Sequence, residues 1–316
     1  MSSSNLFIES KDYKIDFDQY QAIIPLPYYY IGNENIQIPK SHSIFNSSLL
    51  LSYHNNIPLM SNCLSRSSND DARSIVSIFS PLKDSKNVLN KLKNQKVLIV
   101  KGEGELTKYE SDLLSGLRYL KTDEDLSFYE IDLHQYLSRP IKKGNDSLVE
   151  TSMSCIVAYD DFDSHESSKI TFDGACYAGM KKSYNVFYES SHSSKDSLDI
   201  SMWYYVGEEN LNENMLIVEE IDTLTDKSLW THVSGVSNTF VTIGNWQLVE
   251  LSYQPSEWVN KIKIFTKSYT RDDQEFFLDR FLIKRRGDNV YQKTKEGYWM
   301  NNLPLFYVDS IFTSKF

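Results

Sequence analysis

The chain of 316 residues has only three cysteines, Cys63, Cys155 and Cys176, an odd and scattered set. That excludes a disulfide framework, and the absence of any CxxC pair gives no support to a zinc site. No apolar run reaches the roughly 18 residues of a membrane-spanning helix. Basic residues are in short supply: 33 Lys and Arg stand against 43 Asp and Glu, for a formal net charge of −10. Sequence-independent binding of DNA or RNA needs clustered Lys and Arg, so nucleic acid is excluded as a partner. The one basic run, Lys284-Arg285-Arg286, reads as a solvated strand end. Catalytic signatures are missing too. There is no G-x-S-x-G elbow, and none of the six histidines forms an i, i+4 pair around a Glu. The N-terminal MSSSNLFIESKDYKIDF lacks the charged-then-apolar profile of a secretory leader. Taken literally, such a chain is soluble and unexported.

What is present suits two domains. The hydrophobic fraction of 41% is enough to fill real cores, and the aromatic fraction of 13%, with 21 Tyr and 16 Phe, fits β-rich cores and sugar or protein surfaces. Residues 15–138 read as an α/β domain. The stretch QYQAIIPLPYYYIGNEN opens with a buried strand, Gln21 to Leu26, and runs into three tyrosines and a polar turn. Helical spacing predicts helices over 41–55, 69–79 and 84–92. KVLIVKG from Lys96 is a continuous apolar strand. Thr107 with Glu110 three positions on forms a capping box for a helix carrying Leu113, Leu114, Leu117 and Leu120. LSFYEIDL follows from Leu126. Strand, helix and strand with short loops imply a parallel pair and a Rossmann-like layer. The loop KGEGELT offers two glycines before a helix. Its spacing is neither a Walker loop nor G-x-G-x-x-G, and Glu103 and Glu105 would repel an anion, so it reads as a capped turn.

From about Arg139 helical periodicity stops. Short alternating runs follow at Tyr184–Tyr188, Leu198–Val206, Met215–Ile221, Phe240–Ile243, Trp246–Tyr253, Lys261–Thr266 and Glu275–Ile283. They predict an antiparallel β-sandwich of jelly-roll type over 150–290, followed by an aromatic-rich tail, 291–316, docked on one domain. The expected fold class is therefore α/β plus all-β. Asp161 and Asp163 precede the first sandwich strands and Asp279 lies in the last, which makes them candidate ligands of a structural Ca²⁺; the plainer reading is an acidic turn and a strand-end cap. Trp230 and Trp258 near turns are candidate sugar platforms, Trp203 is ambiguous, and Trp246 reads as core.

Two resemblances rest on these motifs. DDFDS, YAGMKKSYNVFYE, WQLVELSYQ and EFFLDRFLIKR make the second half resemble the galactose-binding-like, carbohydrate-binding jelly-rolls. YQAIIPLPYYYIGNEN, IPLMSNCLSRSS and KVLIVKGEGELTKYE make the first half resemble the soluble extracytoplasmic region of bacterial multi-pass proteins related to lipid-linked-sugar glycosyltransferases. In those proteins the catalytic carboxylates lie among membrane helices, so the resemblance carries over no catalytic residue. It implies a non-catalytic, extracytoplasmic glycan- or glycolipid-recognition module with a membrane-embedded partner or span. The alternatives are an accessory part of a glycosyltransferase and a purely structural interaction domain. Should the chain stand alone, a cytoplasmic location is expected instead. Open α/β sheets place ligands at strand C-terminal ends. That singles out a pocket of Tyr28, Asn33, Glu34, Ser65 and Arg66, in competition with the tyrosines sealing an interface.

Overall fold

A computed structural model describes residues 13–33, 35–39, 42–63, 67–80, 92, 96–137, 145–164, 170–181, 183–191, 196–207, 214–256, 261–268, 274–295 and 297–305. The chain divides into two units. Residues 1–32, 38–67 and 87–139 make the first, and 33–37, 68–86 and 140–316 the second. The helical stretch Asn69–Phe79, expected in the α/β half, thus clusters with the β-rich half.

In the first unit the strands are β1 (Ile23–Leu26), β2 (Tyr30–Ile31), β3 (Asn62–Cys63), β4 (Lys96–Lys101), β5 (Arg118–Asp123) and β6 (Leu126–Asp132). One sheet has the order β1-β4-β6-β5. Both β1 and the centre of β4 are uninterrupted apolar runs because they are buried on both faces. The helix His42–Asn55 packs its Ile44, Ser48 and Leu51 side inward, joining Ile23, Tyr29, Leu98, Val100 and Phe128 in the core.

The Rossmann-like expectation needs correction here. β1 and β4 are parallel, but β4 and β6 are antiparallel, and so are β5 and β6. The capped helix is short, Lys108–Leu114, and it stops before Gly116. Leu117 and Leu120, read as helical, fall in the turn and in β5 instead. That extra strand returns through the Glu124-Asp125 turn and reverses the direction of β6. The helix expected over 84–92 lies outside the described residues, apart from residue 92.

The exit of β1 is fixed by one carboxylate. Glu110, itself buried, accepts from the Thr107 N–H at 2.7 Å and the Thr107 hydroxyl at 2.8 Å, closing the capping box. Its other oxygen accepts from the Tyr28 N–H at 2.5 Å. Tyr28, Tyr29 and Tyr30 are all buried, and the Tyr29 and Tyr30 hydroxyls contact Ser48 and Ser67.

The second unit is an antiparallel β-sandwich. Its strands are β7 (Ile156–Asp160), β8 (Tyr177–Met180), β9 (Asn185–Ser191), β10 (Leu198–Tyr205), β11 (Asn214–Asp222), β12 (Lys227–Gly235), β13 (Thr242–Ile243), β14 (Trp246–Tyr253), β15 (Lys261–Ser268) and β16 (Glu275–Arg285). One sheet runs β13-β14-β10-β16-β7, with β8 also on β16, and the other β12-β11-β15-β9. From β9 to β16 the chain passes back and forth between the sheets. Ile200, Met202, Tyr204, Val249, Leu278 and Ile283 from the first sheet share one core with Leu216, Val218, Ile262 and Ile264 from the second. Residues 291–305, expected as a docked tail, form a small meander, β17 (Tyr291–Thr294), β18 (Gly297–Met300) and β19 (Leu303–Pro304).

Replacing Glu110 by Gln removes a charged acceptor from the buried Tyr28 N–H and from the Thr107 N–H and hydroxyl. The expected loss is about 1–3 kcal/mol in the stability of the first unit, read as a shift in the urea midpoint. Glu103→Gln, on an exposed loop residue, should leave that midpoint unchanged.

Candidate functional site

Most of the described tryptophans are interior. Trp203, Trp246 and Trp299 are buried around Phe172, whose ring lies 4.8, 4.9 and 5.9 Å from theirs. Trp203 is fully buried and donates its indole N–H to the Asn302 carbonyl at 2.9 Å, so its ring is not available to a ligand. Trp230 is different. It sits on the edge strand β12 with 66 % of its surface exposed. Trp258 lies outside the described residues.

Beside Trp230 on the neighbouring strand is a buried carboxylate. Trp230 pairs across the ladder with Glu220 of β11. Glu220 is fully buried and accepts from the Tyr253 hydroxyl at 2.8 Å, the Ser256 N–H at 3.0 Å and the Ser256 hydroxyl at 2.5 Å. Burial and that bond to Glu220 push the Tyr253 hydroxyl well above the usual tyrosine range. His232, two residues beyond Trp230 on the same strand face, brings Nε2 to 3.8 Å from Glu220 and packs edge-on against Tyr253 at 5.1 Å. Glu220 thus ties β11 to the end of β14. Its oxygens are occupied by protein donors, so it positions neighbours rather than meeting a ligand. The exposed parts of the arrangement are the Trp230 indole and part of His232. Chemically that is an apolar plate beside a hydrogen-bonding imidazole.

The pocket expected at the exit of β1 is taken up by structure. Tyr28 is buried in the first unit. Asn33, grouped with the second, spends its Oδ1 on the Asn35 and Ile36 N–H groups at 2.9 and 3.1 Å and its Nδ2 on Asn69. It shapes a turn. Glu34, Ser65 and Arg66 lie outside the described residues. A cavity of about 190 Å³ does sit beside the KGEGELT loop, lined by Ser43, Glu103, Asp123, Glu124 and Asp125. Its carboxylates repel phosphate, as the loop's own glutamates suggested.

The aspartates considered for calcium serve backbone and side-chain partners. Asp161 accepts from the Asp163 N–H, and Asp163 from the Ala175 N–H at 3.1 Å. Asp279 is fully buried and accepts from the Asp173 N–H at 3.1 Å. Next to it Arg280 brings a cation of the protein's own, paired with Asp173 at 2.7 Å and stacked over Trp299 at 3.8 Å. Among the described residues no three His, Cys, Asp or Glu side chains form a group able to hold a metal ion. The Arg280 network and Glu220 were not anticipated; the signal available for both was a charged residue inside an apolar strand pattern.

Burial pushes the Asp279 carboxyl from an ordinary 3.8 up to about 7. The folded value exceeds the unfolded one, so this group favours folding most below about pH 4, and its contribution is lost as pH rises through 7. Asp279→Asn should therefore flatten the fall in stability between those pH values. Urea midpoints measured across that range check it, and parallel curves for both proteins would refute it.

No family model matches this chain, and no curated protein matches it. Among solved structures it is similar to the C-terminal family 22 carbohydrate-binding module of Clostridium thermocellum Xyn10B (9% identity, TM-score 0.30, covering 43% of this chain and 96% of that one). It is similar also to the CBM22-1 xylan-binding domain of Paenibacillus barcinonensis Xyn10C (15% identity, TM-score 0.28, 46% and 97%). A third likeness is to the VP2 subviral particle of infectious bursal disease virus (14% identity, TM-score 0.24, 34% and 29%). The sandwich assignment itself stands on the strand order and the shared core.

Proposed function

We propose that the sandwich unit is a non-catalytic glycan-binding module, with Trp230 as its stacking platform and His232 as a hydrogen-bonding neighbour. The observation that carries this is the exposure of Trp230 on the edge strand β12, while Trp203, Trp246 and Trp299 are buried. Leaving an indole in water forgoes about 1.5–3 kcal/mol of burial, so a flat, exposed Trp on a rigid strand suits a partner with an apolar face. Sugar rings offer such a face in their C–H surfaces, and their hydroxyls suit the imidazole. In this reading the chain acts on the extracytoplasmic side as the recognition part of a cell-envelope protein, accessory to glycosyltransferase-type machinery. The membrane-embedded portion then belongs to a partner or to sequence beyond this chain. Among the described residues no helix is long and apolar enough to cross a membrane.

A glycan-panel titration followed by tryptophan fluorescence tests the reading. One glycan class should bind saturably and shift the emission. Trp230→Ala should weaken it by about 1–2 kcal/mol, roughly tenfold in Kd, with the far-ultraviolet circular dichroism unchanged. Leu224→Ala, at an exposed turn residue, should bind normally. A flat response across the panel, or a Trp230→Ala protein that binds as well as the parent, would sink the idea.

A further inference from the structure

The outward face of the sheet β12-β11-β15-β9 carries a pattern that the Trp230 site does not use. Strand β15 turns Ile262, Ile264, Thr266 and Ser268 toward the core, which leaves Lys261, Lys263, Phe265 and Lys267 as its outward series. Three of four outward positions are thus cationic, on a chain whose net charge is −10. Trp230 belongs to the other side of this sheet, because it pairs with Glu220 while Lys263 pairs with Glu219.

We propose that this face binds an anionic glycan, a polysaccharide carrying carboxylates, along β15. Tyr184 stands beside the strand with 58 % of its surface exposed and its ring 5.2 Å from that of Phe265. The Lys267 ammonium lies 4.4 Å above the Tyr184 ring and donates to its hydroxyl at 2.7 Å. Having accepted there, the phenol keeps its own hydrogen to donate. An ammonium and an O–H side by side form a two-donor seat for a carboxylate. Lys263 is held over the Phe265 ring at 5.8 Å. Lys261 is paired with Glu189 at 2.5 Å and Lys263 stands directly across the ladder from both Glu189 and Glu219, whereas Lys267 stands across from Met215. Lys263 and Lys267 stand four residues apart on one strand, about 13 Å. Charges repeated along a polymer satisfy both; one small anion does not. Exposed Val186 and the Tyr184 ring give apolar ledges for sugar C–H surfaces.

An anionic membrane is the competing occupant, and the same face argues against it. Glu189 and Glu219 lie among the lysines. A broad sheet of lipid headgroups lies over both carboxylates at once, while a linear chain can seat a carboxylate at Lys267 and Tyr184, four residues along β15 from the Glu219–Lys263–Glu189 row.

The test is calorimetric titration of the whole chain with a galacturonate oligosaccharide, a neutral xylo-oligosaccharide and phosphatidylglycerol-containing vesicles, at low and high salt. The galacturonate oligomer should bind and weaken with salt. Lys267→Met and Tyr184→Phe should each weaken it about tenfold, the worth of one charge-assisted hydrogen bond, and Trp230→Ala should not. Equal affinity for the neutral sugar, an unchanged Lys267→Met protein, or binding to vesicles alone would overturn the proposal. Loss of galacturonate binding in Trp230→Ala but not in Lys267→Met would also overturn it while leaving the Trp230 reading intact. Retention of anionic binding with no effect of Trp230→Ala on any glycan would do the reverse.

Discussion

A carboxylate withdrawn from water must be given donors, and much of this molecule is arranged around two places where that requirement is met and a third where it is half met. Burying an unpaired charge would cost several kcal/mol, more than most single contacts return. Glu110 meets the requirement with Thr107 and the Tyr28 N–H, which fixes the chain as it leaves β1. Glu220 meets it with Tyr253 and Ser256, which ties the end of β14 to β11. Asp279 takes the Asp173 N–H on Oδ2 beside Arg280, which pins the 172–175 turn against β16, while its Oδ1 finds no partner among the described residues and burial raises its pKa. In each case the carboxylate stands where a strand ends or a turn docks. Apolar packing is non-directional and would leave such points free to slide.

This division of labour bears on function. The buried carboxylates are committed to protein donors, so the groups left to meet a partner are those at the surface, among them the Trp230 indole and the Lys267–Tyr184 pair. Trp230 is the clearest case. Its strand, β12, is an edge strand, and Glu220 across the ladder from it accepts from Tyr253 and Ser256. The indole is exposed beside the half-exposed His232 imidazole. In the proposed reading a residue held on a strand loses little ordering entropy when it meets a ligand.

The sandwich was legible because its strands alternate. Leu198–Tyr205, Trp246–Tyr253 and Glu275–Arg285 fall within a residue or two of where alternation places them. What escaped was whatever lacks a buried face. Strand β12, KSLWTHVSG, is mostly exposed and carries no apolar period, so Trp230 looked like a turn residue. Strand β5, largely exposed as well, was absorbed into the helix before it, and with it went the direction of β6. Among candidate residues, exposure separated Trp230 from Trp203, whose flanking sequence SMWYYVG gives no hint of which ring faces out. Tyr28 and Asn33 were drawn into a pocket by their polar tips, and the structure spends them on burial and on a turn.

The two faces of the sandwich end up unlike each other for a reason that starts with Arg280. This residue breaks the regular course of β16, at φ 53°, and its guanidinium is held by Asp173, Gln292, Asn302 and the Trp299 ring. A guanidinium removed from water at that point needs those partners, and Gln292, Trp299 and Asn302 come from the C-terminal meander β17–β19 and the turn within it. The meander is thereby drawn over the outer side of β10 and β16, sealing Trp203 beneath Asn302. Among the described residues the sheet β12-β11-β15-β9 has no comparable buried cation on its outer side. Its lysines reach water along their stems instead, resting on Phe265 and Tyr184. One charged residue turned inward closes one face, and three turned outward leave the other open.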